Sequence, residues 1–234
     1  MPVSSLFLPL KIPVRHDLVQ PLGEWLDLDE QVSTFDHDDD DDDDDLAWIV
    51  PKPSFKSYEC RDELLRLAAL RNSLSENLQD SHQMCLESRS LEDLMEYHAT
   101  LLEFEKRGFP TVDKESNGIA LTWKGAFAGR QEETHYSLLY DRACTIWNIS
   151  ALQSFMSATA DMTTKEGCKI SISQSQTAAS NLAVLRQLVQ GGDYSTVDLS
   201  PSMISFWEKM LLARKLLFIK YTLIEVQCSR LLSI

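Results

Sequence analysis

The sequence predicts a mainly α-helical protein: a solenoid-like stack of helices with a small β element near the N-terminus. Two observations favour this class. Apolar residues recur at helical spacing over several long stretches, and two short segments show strand patterns instead. Paired antiparallel helices of roughly 25 residues are the building unit of helical solenoids. No 34-residue repeat shows clear self-similarity.

Two apolar segments predict the β element. Residues 5–12 alternate partly, and Pro9 within them favours an edge strand because proline cannot donate a ladder hydrogen bond. Asn117-Gly118 is a turn signal, and the residues after it alternate across a strand. The apolar members on one face of that strand are Ile119, Leu121 and Trp123. We expect the two segments to pair in a small sheet.

The length of 234 residues suggests one large domain or two small ones, and the distribution of charge indicates an acidic insertion. The formal net charge of −14 becomes −5 once the nine aspartates within 36–45 are set aside. Eight of these are consecutive, Asp38–Asp45, and they repel one another and cannot be buried. Residues 30–57 are therefore predicted to be a disordered surface insertion. Loose attraction for calcium or a basic partner is the alternative, although a plain aspartate run lacks the spaced oxygens and turn glycine of a calcium site.

Apolar stripes and end signals predict six helices. A short one covers residues 17–29, and the longer ones cover 59–78, 90–107, 134–159, 164–190 and 201 to the end. Gly108 follows a basic last turn and is typical of a helix C-cap. Thr164 and the Ser200-Pro201 pair mark the starts of the last two helices.

The last helix is apolar around nearly its whole circumference. Its large apolar residues before Lys220 are Met203, Ile204, Phe206, Trp207, Met210, Leu211, Leu212, Leu216, Leu217, Phe218 and Ile219. A helix of this kind is either buried on all sides or lends one side to a partner. The composition alone leaves both interpretations open.

The sequence contains no signature of catalysis, metal or cofactor binding. A phosphate loop, GxSxG, HExxH and a catalytic-cysteine pattern are all missing. His82 and Cys85 lack the second ligand pair that a structural zinc site needs. We therefore expect no enzyme activity, no metal and no cofactor.

Charge and hydropathy also limit the partners and the compartment. No basic face suitable for nucleic acid is evident. The most apolar stretch, residues 210–226, is interrupted by charged residues, so no transmembrane segment is expected. The five cysteines are odd in number and irregularly spaced, and the N-terminus has no secretory signal. We expect free thiols in a cytoplasmic protein.

One ordered set of motifs resembles a known family. The set is Ile119-Ala-Leu-Thr-Trp123-Lys, Tyr140-Asp-Arg-Ala-Cys-Thr-Ile-Trp-Asn148, Lys165-Glu-Gly167 and Val197-Asp-Leu-Ser-Pro201. In this order the motifs resemble the Bro-one domain of the Alix, rhophilin and His-domain tyrosine phosphatase type. Leu8-Pro-Leu-Lys11 looks like the opening strand of that family. The resemblance implies one elongated domain over residues 1–234. The chain is shorter than the domains of the family, and we expect it to be incomplete at the C-terminus.

The resemblance implies a non-catalytic adaptor with a tetratricopeptide-like core. Such a domain binds the C-terminal amphipathic helix of an ESCRT-III filament subunit through an apolar patch, which recruits it from the cytoplasm to endosomes. By position, the resemblance assigns partner binding to Lys165, Lys169, Ile172, Leu217 and Phe218. Two alternatives stay open: a rhophilin-type scaffold for small GTPases or the cytoskeleton, and a non-functional truncated isoform.

Overall fold

The computed structural model describes residues 8–15, 18, 57–79, 88–109, 119–127, 131–192, 194 and 196–231. Within these ranges the chain forms five α-helices and one three-stranded sheet, so the predicted mainly helical class is confirmed. The strands are β1 (Ile12–Pro13), β2 (Leu121–Lys124) and β3 (Glu132–His135). The helices are α1 (Ser57–Gln79), α2 (Ser88–Lys106), α3 (Leu138–Thr159), α4 (Lys165–Leu188) and α5 (Pro201–Leu231).

Some predicted features lie outside the described residues. These are most of the short helix over 17–29, the insertion over 30–57 apart from Ser57, and the pair His82 and Cys85.

The sheet is antiparallel with strand order β1-β2-β3, and Ile12 pairs with Lys124. The predicted pairing of the N-terminal segment with the tryptophan strand is confirmed, and β1 lies at the edge of the sheet. The predicted bounds are wrong: of the residues from 8 onward, only Ile12 and Pro13 form the strand, and Pro9 lies outside it. The third strand is a correction. Residues 132–135 pair with β2, so the helix predicted from residue 134 begins at Leu138, where the Ser137 side chain caps it.

Local end signals explain most of the observed helix boundaries. Gly108 has φ 85° after α2, the left-handed conformation that glycine adopts without strain. The Thr164 hydroxyl accepts the Gly167 amide at the start of α4, and the Ser200 hydroxyl accepts the Met203 amide at the start of α5. Helix α2 begins at Ser88, two residues before Ser90, near which the sequence predicts its start.

The helices stack in chain order, each packing on the next, and α4 lies between α3 and α5. Salt bridges and hydrogen bonds fix their directions as antiparallel. Arg186 at the end of α4 pairs with Glu208 near the start of α5 at 3.2 Å. Ser157 near the end of α3 donates to the Ser171 carbonyl near the start of α4 at 2.9 Å. Small side chains at this contact allow the close approach of α3 and α4.

A buried polar cluster joins α1, α2, α3 and β2. The Asp141 carboxylate accepts hydrogen bonds from Arg71, Tyr97 and the Trp123 indole, the last at 2.6 Å. All four side chains are fully buried. Because a buried charge is tolerated only when it is paired and hydrogen-bonded, this cluster fixes the relative placement of the sheet and the first three helices.

Candidate partner-binding surface

The helix α5 has a narrow buried stripe and a wide exposed apolar side. Ile204, Trp207 and Leu211 face the core at helical spacing. Four large apolar side chains lie on the other side with 40–66% of their surface exposed: Phe206, Leu212, Leu216 and Leu217. We call these four residues the α5 apolar face. A helix surface that faces water is normally polar. Four large apolar side chains on such a surface therefore favour the interpretation in which the last helix presents one side to a partner.

The structure separates Leu217 from Phe218. Leu217 is 66% exposed and belongs to the α5 apolar face. Phe218 continues the stripe of Ile204, Trp207 and Leu211 at positions i+14, i+11 and i+7 and is half-buried. Consecutive helical residues point about 100° apart, so only Leu217 presents its side chain outward.

The other three predicted residues lie at the start of α4. Lys165, Lys169 and Ile172 follow at i, i+4 and i+7, so they share one side of the helix. Both lysines are exposed and Ile172 is half-buried, while the Lys169 amine pairs with Glu166 at 3.3 Å. This side of α4 therefore combines cationic groups with one apolar side chain.

The start of α4 is fixed by a close backbone approach. A Cβ added at Gly167 would lie 1.9 Å from the Asp161 carbonyl oxygen, so only glycine fits there. This contact holds the connection between α3 and α4 against the first turn of α4. It explains in physical terms the Lys165-Glu-Gly167 motif that the sequence singles out.

The start of α4 and Leu217 lie at the same end of the helical stack. The Arg214 side chain donates to the Ser154 carbonyl of α3 at 3.2 Å, so this part of α5 is level with the last turns of α3. The first turns of α4 are at that same end, because Ser157 bonds to Ser171. Leu217 follows Arg214 by about one turn. That the two sides form one continuous binding surface stays a prediction.

The surface around the α5 apolar face carries positive charge. Lys209 and Lys220 are exposed on this side of the helix. Arg214 is half-buried, and its burial lowers the pKa of the guanidinium below its ordinary value. An apolar face flanked by cations suits an amphipathic helix with acidic residues beside its apolar stripe.

Three further features of the described residues bear on other kinds of site. It contains no group of three or more His, Cys, Asp or Glu side chains that could hold a metal ion. Burial raises the pKa of the Cys144 thiol far above its ordinary range, which keeps it protonated and unreactive. A cavity of about 60 Å³ beside Gly125, Thr196 and Asp198 has room for little more than water. No helix among these residues has the length and hydropathy to cross a membrane.

Sequence reasoning singled out one of the four exposed residues and missed three. Phe206, Leu212 and Leu216 were assigned to the helix but not to a site. The signal was present, since Phe206, Ala213 and Leu217 repeat at i, i+7 and i+11 opposite the Trp207 stripe. It was hidden because both sides of the helix are apolar, and periodicity cannot then tell the buried side from the open side.

A family model decides the classification: the BRO1-like domain matches residues 52–220. The chain belongs to the BRO1-like domain family. The match spans all five helices up to the middle of α5, including the α5 apolar face. The resemblance drawn from the motifs at 119–201 is thereby confirmed.

Relatives in three protein groups share this BRO1-like region. Rhophilin-2 of Bos taurus is 30% identical over 196 residues, which cover 83% of this chain and 25% of the relative. Programmed cell death 6-interacting protein of Xenopus laevis is 26% identical over 226 residues, or 92% of this chain and 23% of the relative. Tyrosine-protein phosphatase non-receptor type 23 of Mus musculus is 30% identical over 86 residues. The chain spans about a quarter of the length of the first two.

Solved structures share the fold. The BRO1 domain of ALIX in its complex with CHMP4C has a TM-score of 0.68 at 18% identity, covering 93% of this chain and 56% of that one. A Bro1 domain solved in connection with endosomal targeting has a TM-score of 0.67 at 19% identity, covering 98% and 55%. At these identities the likeness shows the fold alone.

Proposed function

We propose that this chain is a non-catalytic adaptor that binds the C-terminal amphipathic helix of an ESCRT-III filament subunit in endosomal sorting. The α5 apolar face carries the proposal: four large apolar side chains are 40–66% exposed on a helix whose opposite side packs on the core through Ile204, Trp207 and Leu211. Apolar anchors of a helical partner dock in such a surface. The family supports the choice of partner, because a BRO1 domain of ALIX has been solved with CHMP4C.

In this proposal the predicted residues have different roles. Leu217 is an anchor contact, and a few anchors provide most of the binding energy of an interface. Lys165 and Lys169 place cations near the same end of the stack, and Ile172 extends the apolar contact. Phe218 supports Leu217 from beneath, because it lies on the core stripe of α5. Binding to the partner recruits a cytoplasmic protein to the endosomal membrane.

The test is titration of a fluorescent peptide of the CHMP4C C-terminal helix, followed by anisotropy. Leu217→Asp should weaken binding at least tenfold, because it places an unpaired charge at an apolar contact. The matched control is Leu65→Asp, which changes another exposed leucine (47%) far away on α1 and should leave the affinity unchanged. Phe218→Asp is unsuitable as a single test, since a charge on the core stripe also destabilises the fold.

Two results would contradict the proposal. If the wild-type protein shows an intact helical circular dichroism spectrum but does not bind the peptide, the proposed function is wrong. Equal affinity of wild type and Leu217→Asp would remove the site while leaving the function open to a different surface.

A second candidate function is a rhophilin-type signalling scaffold. The observation that favours it is the similarity to rhophilin-2 of Bos taurus, which is 30% identical over 83% of this chain and 25% of rhophilin-2. Pull-down with small GTPases in their GTP-loaded and GDP-loaded forms separates the two functions. Nucleotide-dependent capture together with no CHMP4C binding would favour the scaffold.

A further inference from the structure

We propose that copies of this chain associate head to tail, with the outward side of α5 in one copy packing on the outward side of α2 in the next. This contact goes beyond the proposed function, because it joins two identical chains and uses a surface on α2 that the adaptor role leaves unused. Its occupant is a second copy, which we infer from charge complementarity.

The α5 side of the contact is apolar and positively charged. Lys209 and Lys220 lie at its two ends, with Ala213 and Leu217 between them. The two lysines are eleven residues apart, which is about 16 Å along a helix. Neither forms an ion pair with another residue that the structure describes. Both side chains are exposed, so their charges are accessible to a partner.

The α2 side is its electrostatic counterpart. Leu94, Tyr97 and Leu101 face the core, and the opposite stripe is solvent-exposed. That stripe is formed by Glu92, Met95, Glu96, Ala99, Glu103 and, at its C-terminal end, Lys106, so it carries three acidic groups and one basic group. Met95 is 54% exposed, a large apolar side chain in the middle of an acidic surface.

The charges of the α2 stripe are only partly neutralised within the chain. Glu96 pairs with Arg66, and Glu103 pairs with Lys106 at 2.8 Å. Both are exposed pairs, which contribute little and exchange partners easily. Glu92 has no ion-pair partner among the residues that the structure describes. The stripe therefore stays acidic overall.

The two sides match position by position. Glu92 and Glu103 are also eleven residues apart, the same spacing as Lys209 and Lys220. In an antiparallel arrangement, Lys209 meets Glu103 and Lys220 meets Glu92. The positions between the charges are then small against small and apolar against apolar: Ala213 faces Ala99, and Leu217 faces Met95. Small residues in the centre allow the two helices to approach closely.

Other occupants fit the charges less well. Two α5 sides facing each other would bring lysines against lysines, which is repulsive. An anionic membrane would attract Lys209 and Lys220 but would repel a chain whose net charge is −14. The acidic stripe of α2 provides opposite charge, matching spacing and an apolar centre together.

The contact joins different surfaces on the two copies, so it is heterologous and can extend beyond a dimer. One helix pair buries less area than the roughly 1,200 Å² of a stable standard interface. Association is therefore weak, rises with protein concentration, and falls with salt because exposed charges are screened. It also covers Leu217, so self-association and binding of a partner helix compete.

Sedimentation velocity over a wide concentration range, at low and at high salt, tests the proposal with the wild-type chain alone. The weight-average sedimentation coefficient should rise with concentration at low salt, and the rise should be lost at high salt. No partner peptide is present, so failure of the proposed function cannot affect this measurement. A coefficient that stays at the monomer value at every concentration overturns the inference. The same result is expected if the outward side of α5 binds a membrane instead of a second copy.

Charge reversal identifies the two surfaces. Lys209→Glu with Lys220→Glu should give a monomer, and so should Glu92→Lys with Glu103→Lys. An equimolar mixture of the two double variants should associate again, because each reversed surface then meets its opposite charge. All four side chains are exposed, so circular dichroism should be unchanged. Self-association that persists in both variants, or a mixture that stays monomeric while wild type associates, would contradict the assigned surfaces.

Discussion

At the scale of single residues, the ion pair of Lys11 and Asp198 is unusual because both side chains are excluded from solvent. The two charges are 2.7 Å apart and at most 1% exposed. Asp198 also accepts the Ala126 amide at 2.8 Å. A buried pair of this kind contributes little net stability compared with apolar residues, but breaking it leaves one charge buried alone. The pair joins the N-terminal segment to the connection before α5.

Asp198→Asn should therefore destabilise the protein by about 3–5 kcal/mol at neutral pH, because Lys11 would be left buried without a counter-charge. Burial is the largest single influence on Asp198 and opposes its ionisation, but Lys11 and the hydrogen bonds from Thr196 and Ala126 together lower the pKa of the carboxyl below its ordinary 3.8. The stabilisation is thus fully present above pH 3.8 and is lost as the pH falls through the lowered pKa. Urea unfolding across this range should show the gap between wild type and variant closing in acid.

The control for this prediction is Glu166→Gln. Glu166 pairs with Lys169 on the exposed start of α4, and such pairs are worth about 0–1 kcal/mol. A loss for Asp198→Asn no larger than that of Glu166→Gln would show that the buried pair is not needed for stability.

At the scale of elements, the start of α4 depends on one glycine. Gly167→Ala places a Cβ within 1.9 Å of the Asp161 carbonyl, so the backbone must shift. Overpacking of this kind costs about 1–3 kcal/mol. We expect a lower midpoint in thermal unfolding, followed by circular dichroism, even though alanine is the better helix former.

A matched substitution at an open position separates the two effects of alanine. Ser173→Ala lies on the exposed side of α4, where helix propensity should raise stability slightly. If Gly167→Ala is as stable as Ser173→Ala, the close approach of Gly167 to the Asp161 carbonyl does not require glycine for stability.

The elements also show how far the sequence alone could be interpreted. Long helices were predictable because stripes such as that of α2 and caps such as Thr164 act locally. Strand β3 was missed because Glu132–His135 is short and charged, and its pairing with β2 is a tertiary contact.

The candidate site was only partly predictable for a related reason. Leu217 and Phe218 are adjacent and apolar, so the sequence could not say which of them faces outward. That depends on which side of α5 packs on α4, and only the packed structure fixes it.

At the scale of the whole molecule, the N-terminal segment binds across the helical stack much as an extended peptide would. The Pro9 carbonyl accepts the Trp147 indole at 2.9 Å. The Asn148 side chain accepts the Lys11 amide at 2.8 Å and donates to its carbonyl at 2.9 Å. Side chains of α3 therefore satisfy backbone groups that neighbouring strands satisfy elsewhere. We therefore expect the N-terminal segment and α3 to unfold together, although they are far apart in sequence.

Asn148→Ala tests this coupling, because it leaves the buried amide and carbonyl of Lys11 without partners. Each unpaired group costs about 1–3 kcal/mol. In the wild type, the Lys11 amide should exchange hydrogen as slowly as amides in the middle of α3, since both require global opening. In the variant, exchange at Lys11 should accelerate more than exchange in α3. Asn181→Ala is the control, because Asn181 donates to Gln153 of α3 and its loss keeps both hydrogen bonds between Asn148 and Lys11. Fast exchange at Lys11 in the wild type would mean that the segment opens independently of the stack.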